Sequence, residues 1–122
     1  KDGSQTIEIW KDRTETVKTG NEKITIELGN RDVKINTGND TLTVAKGNLT
    51  VDVSMGKAKI SAMQAIDLIC GGSSIKMTPA SITLKSTMIK IQGTAMVDVK
   101  SLLTQVKGDA MLILKGGVVM IN

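Results

Sequence analysis

The sequence predicts an all-β fold of short strands joined by Gly/Asn corners, closed as an intertwined homotrimeric triangular β-helix, on three observations. Glycines recur nine residues apart at Gly20, Gly29, Gly38, Gly47 and Gly56, and asparagine follows the first four as Asn21, Asn30, Asn39 and Asn48. Four and six residues after each glycine stands an apolar or small residue: Ile24 and Ile26, Val33 and Ile35, Leu42 and Val44, Val51 and Val53, Ile60 and Ala62. Aromatic residues are 1 % of the chain, with Trp10 the lone ring, so the interior is expected to be too narrow for large rings.

The strands follow from the alternation. Polar Lys23, Thr25 and Glu27 flank Ile24 and Ile26, and the same pattern repeats around each later pair, which gives a short strand with one buried face. The corners follow from Gly-Asn, the pair best able to take positive φ. A fixed short period of one strand and one turn marks a solenoid, since no single unit can bury its own apolar stripe.

The lead-in is less regular. Gly3 opens the pattern one frame early, with Ile7 and Ile9 four and six residues on and Trp10 next to them. In the following unit Lys11 takes the glycine slot, and Glu15 and Val17 take the apolar slots. An inward, unpaired Glu15 would be costly, so residues 11–19 are expected to be loosely wound or shifted by one residue, which exposes it. Residues 1–19 therefore read as an irregular lead into the shaft and residues 20–122 as a β-helical spike with a docking tip.

Beyond Gly56 the pairs continue as Ile66 and Leu68, Ile75 and Met77, Ile82 and Leu84, Ile89 and Ile91, Val97 and Val99, Leu112 and Leu114, and Val119 and Ile121. Gly71-Gly72, Pro79, Gly93, Gly108 and Gly116-Gly117 fall between them, where corners are needed. The expectation is one continuous stack after residue 20. One strand and one corner per repeat is shorter than the coil of a single-chain parallel β-helix, and two architectures fit it: a single chain that turns a corner at each repeat, or three identical chains winding together as a triangular prism, of which the second explains more. Roughly twelve such units at about 4.8 Å each give a shaft on the order of 55 to 65 Å.

Composition narrows the chemistry. The chain carries 16 basic and 12 acidic residues, net +4, scattered without a run of one sign, which reads as a solvated face rather than a nucleic-acid interface. There is no histidine, so the usual general base and the commonest metal ligand are missing. Without that base a nucleophilic Ser or Cys lacks activation, and the chain is expected not to be an enzyme, with no catalytic residue, cofactor or metal. Cys70 is alone and is expected to be a buried or half-buried small hydrophobe. No signal peptide or membrane-spanning run is read, and the start at Lys1 inside an alternating segment reads as a fragment of a longer protein.

Two ligand readings fail on the repeats themselves. A calcium β-roll needs two glycines and an aspartate per unit, whereas here the row of Asp40 runs Glu22, Arg31, Asp40, Leu49 and contains a cation. An ice- or polysaccharide-binding face needs a flat hydroxyl lattice, and the row Thr25, Lys34, Thr43, Asp52, Ser61 is of mixed charge.

Several segments resemble the C-terminal spike of VgrG proteins of the type VI secretion system, similar in architecture to tailed-phage cell-puncturing needles. They are Gly38-Asn39-Asp40-Thr41-Leu42-Thr43-Val44, Gly47-Asn48-Leu49-Thr50-Val51-Asp52-Val53 and Gly71-Gly72-Ser73-Ser74-Ile75-Lys76-Met77. Lys90-Ile91-Gln92-Gly93-Thr94-Ala95-Met96-Val97, Gly108-Asp109-Ala110-Met111-Leu112 and the run from Gly116 to Asn122 complete the match. The resemblance implies a rigid homotrimeric puncturing spike, mounted on an Hcp tube through an N-terminal part absent here and capped at its C-terminal tip by a PAAR-repeat protein. It further implies effector cargo, transient contact with a target membrane, assembly in the bacterial cytoplasm, and secretion into the target cell or medium. Lys11 and Glu15 depart from the pattern, and the missing histidines leave no iron site to carry over from phage needles.

The tip is where the outward positions change character. Along the shaft they are Lys76, Thr83, Lys90 and Asp98, but near the end they become Ile113, Val118 and Met120. Met111, Ile113, Val118, Val119, Met120, Ile121 and Asn122 are therefore the candidate docking residues, on the logic of apolar surface beside unpaired strand edges. A plug folded over the tip by Val118 or Met120 is the other reading. The other function class is the stalk of a trimeric adhesin or phage tail fibre.

Overall fold

The structure, a computed structural model, describes residues 3–122. Lys1 and Asp2, the first residues of the predicted lead-in, lie outside the described residues. Among the described residues there is no helix, and the three strands present make the chain all-β. The chain divides into two units, Lys1–Val51 and Asp52–Asn122.

In the first unit the nine-residue period is visible as geometry. Bends occupy residues 18–20, 27–29, 36–38 and 45–47, each ending on the repeat glycine. Gly20, Gly29, Gly38 and Gly47 take φ of 101°, 113°, 116° and 113°. No non-glycine residue among the described ones has positive φ, so the turn is made by the glycine and not by the asparagine after it. The segments between bends are equivalent too. The residue six after each glycine, Ile26, Ile35 and Val44, is 43–47 % exposed, and the residue four after, Ile24, Val33, Leu42 and Val51, is 62–79 % exposed.

The lead-in keeps this register. Trp10 and Lys11 bend, placing the corner nine residues before the one that ends at Gly20 rather than one residue off. Glu15 thus stands in the unshifted apolar slot, and its exposure comes with an ion pair in place of a register shift. The Arg13 guanidinium donates to Glu15 Oε2 at 2.8 Å. Arg13 lies two residues upstream, on the same side of an alternating segment.

In the second unit Gly56 closes the bend 54–56 without positive φ, and it is the first repeat glycine not followed by asparagine. The predicted continuous stack is then interrupted. Strands β1 (Ile66–Cys70), β2 (Ser73–Met77) and β3 (Ile82–Lys85) form a three-stranded antiparallel meander in the order β1-β2-β3. The cause is loop length. Gly71-Gly72 leaves two residues between β1 and β2, and only the first, Gly71 at φ 56°, is positive, the demand of a type II′ hairpin turn. Thr78 and Ser81 exchange backbone hydrogen bonds of 2.9 and 3.3 Å around Pro79-Ala80, with proline at a turn position that needs no N–H.

The register puts Leu68, Ile75 and Leu84 in one row and Ile66, Met77 and Ile82 in the next. The apolar pairs read from the sequence therefore do share one face. Asp67 pairs with Lys76 on the other face, an opposite-charge cross-strand pair. After the meander, bends return at residues 87, 94–95, 102–103, 109–110 and 117–118, seven or eight residues apart.

Two of these later corners use glycine for space rather than for φ. A β-carbon on Gly93 would collide with the carbonyl oxygen of Met96, and one on Gly108 with that of Met111. Both glycines begin a Gly-x-Ala-Met sequence, fifteen residues apart.

The chain builds no interior of its own. Among the described residues none is buried, and the accessible surface is 14191 Å². A self-sufficient folded protein of 13.0 kDa exposes about 6,300 Å² and its unfolded chain about 18,900 Å². The chain alone thus hides only about a quarter of what full extension would expose.

Candidate functional site

The predicted tip residues lie in the second unit, after the last regular strand, with the bend at residues 117–118 between Leu114 and Val119. Met111, Ile113, Val118, Val119, Met120 and Ile121 are all exposed, Met120 at 90 % and Ile121 at 87 %. Asn122 is exposed as well. Neither Val118 nor Met120 is covered by its own chain. Met111 also has a backbone role, since its carbonyl is the group packed against Gly108.

A larger surface precedes the meander. From residue 3 to residue 65 no described backbone N–H or C=O pairs with another backbone group of the chain. A folded protein ordinarily makes about one internal hydrogen bond per residue, so this stretch presents strand-like edges on both sides.

The open face of the meander forms a concavity of about 300 Å³ lined by Leu68, Cys70, Ser73, Ile75, Leu84 and Ile89. At its rim the hydroxyls of Ser73 and Ser86 are hydrogen-bonded at 2.7 Å. Cys70 is exposed, which corrects the expectation of a buried or half-buried thiol. It ends β1 at the hairpin turn, opposite Ser73 in the register.

Chemically the surface is plain. Among the described residues no three His, Cys, Asp or Glu side chains are grouped to hold a metal ion. No helix of the described residues is long and apolar enough to cross a membrane. The arrangement can do two things: add strands to its edges and cover its apolar rows with a matching surface. Comparison with protein families, curated proteins and solved structures gives no match for this chain.

Proposed function

We propose that the chain is the β-helical spike of a contractile secretion machine of type VI kind, a rigid needle of three intertwined copies ending in a docking tip. The observation that carries this reading is the unpaired backbone of residues 3–65 beside apolar rows that recur every nine residues. To cover its apolar rows such a segment must give up water, and its backbone groups then need other strands as partners; identical copies supply strands of the same length, corner and apolar spacing. The excess of exposed surface, about 7,800 Å² over a self-sufficient protein of this mass, is the area the sister copies would cover.

The function of such an object is mechanical. A ladder of hydrogen bonds running between copies shares axial load over many strands, and a thin aliphatic interior leaves little to deform. The tip residues, all exposed, then present three apolar patches at one end for a cap of PAAR-repeat type. An Hcp tube at the other end, carriage of effectors, passage through a target envelope, and a route from bacterial cytoplasm to target cell or medium belong to the same proposal.

The test is mass in solution followed by capture. Sedimentation equilibrium should give a species of three chains, and that species should retain a small PAAR-type cap protein. A folded monomer would overturn the assembly. A trimer that ignores the cap but binds in a glycan screen would move the chain to the fibre-stalk class.

A further inference from the structure

We propose that a row of alternating charges in the first unit sets the axial register between copies, so that each copy meets its neighbour offset by one nine-residue repeat. This rests on the trimeric reading above and specifies its interface. The row holds the residue two after each corner: Arg13, Glu22, Arg31 and Asp40. All four belong to the same unit, between bends that recur in register.

The sign alternates at every step of this row. Two further rows carry charges at neighbouring repeats, Lys23 with Asp32 and Lys18 with Glu27, and these are also opposite in sign. In the repeats from Lys11 to Gly56, each pair of charged residues nine apart is therefore oppositely charged, five pairs in all.

The geometry of closure explains why that spacing matters. A chain that turns a third of a circle at each corner places its next repeat on the face its neighbour has just left. Each strand then lies beside the following repeat of another copy, about 4.8 Å away, with residues of the same slot in one column. One copy's Arg13 meets the next copy's Glu22 and so on up the column, and opposite charges at that distance stabilise the pairing. Identical repeats side by side would set Arg13 against Arg13 and Glu22 against Glu22. An offset of two repeats would set Arg13 against Arg31 and Glu22 against Asp40. Both alternatives stack like charges, so the row favours one offset and disfavours its nearest competitors. The Arg13–Glu15 pair is compatible with this, because a guanidinium has five N–H donors and can serve both carboxylates.

The test is self-sorting. A full chain carrying R13E, E22R, R31E and D40R together keeps the net charge and the alternation, so it should form homotrimers as the natural chain does. Refolded with a size-tagged natural chain and read by native mass spectrometry, the two should segregate, mixed trimers falling at least about tenfold below statistical proportion. Preferential mixing would mean that copies meet with no offset or with an offset of two repeats and would overturn the proposal. Statistical mixing, or a swapped chain that does not trimerise, would overturn it as well, with the trimer of the natural chain left standing. A second variant, E22R with D40R, makes the row wholly cationic and should raise the concentration for half-dissociation at least about tenfold; an unchanged value again refutes the ladder. A natural chain that is itself monomeric would sink the trimeric reading, and this one with it.

Discussion

The carbonyl oxygen of Met96 occupies the space that a side chain on Gly93 would need, and Met111 stands in the same relation to Gly108. These corners fail to tolerate a side chain for a steric reason, whereas Gly38 faces only Ile35 Cγ2 at 3.9 Å and is held to glycine by its φ of 116°. One chain thus uses two kinds of corner, and the difference can be measured.

Gly93→Ala should destabilise the folded assembly by about 1–3 kcal/mol per chain, the usual cost of forcing an extra carbon into a site that must shift to accept it. Gly72→Ala, at a position with nothing within 4 Å and no positive φ, serves as the control and should cost little. Urea denaturation of the two variants beside the natural chain checks the contrast.

Gly38→Ala and Gly56→Ala should have opposite signs although both glycines close a nine-residue repeat. The first places a β-carbon at φ 116° and should destabilise by about 1–2 kcal/mol. The second sits at ordinary φ with Val53 Cγ1 at 3.4 Å and should stabilise by about 0.4–1 kcal/mol, through the lower freedom of the unfolded chain. Thermal melts of the pair decide it; equal losses would mean the two corners are alike.

Glu15→Val should raise stability by about 1 kcal/mol per chain, since the equivalent positions hold Ile24, Val33, Leu42 and Val51 and an aliphatic residue covered there by the proposed sister copies gains transfer energy. Arg13→Ala should do the reverse, leaving the Glu15 carboxylate without its 2.8 Å partner. The double change R13A/E15V should recover most of the loss. Concentration-dependent melting reports all three.

Val118→Asp with Met120→Asp should abolish retention of a PAAR-type cap while the three-chain mass persists. Both side chains are exposed, at 81 % and 90 %, so the substitutions remove apolar contact area without disturbing packing within the chain. Affinity surviving the double change would show that the cap is held elsewhere.

Much of the first unit was legible in the sequence because period and residue type agree there. Gly-Asn at nine-residue spacing marked the bends, and the residues four and six further on marked the apolar side. The meander was not foreseen, for a physical reason: alternation in Ile66–Cys70 and Ser73–Met77 is the same whether strands stack parallel between copies or antiparallel within one. The deciding signal was the two-residue Gly71-Gly72 link, which allows a hairpin and little else. Arg13 was legible only as one charge among many, because its pairing with Glu15 depends on the corner at Trp10-Lys11 keeping register. Of the candidate tip, the apolar character could be read from the loss of polar outward residues, but the backbone role of Met111 required coordinates.

The meander has a consequence for how such an object comes into being. Hairpins closed by two-residue links form in about 1–10 µs, before a newly made chain meets any sister. If three copies do assemble as proposed, residues 66–85 would pair within one chain first, while the ribs before them would stay open until collision. Biogenesis would begin in the middle and spread outward, and its pace over the remaining length would depend on how many nascent copies share a neighbourhood.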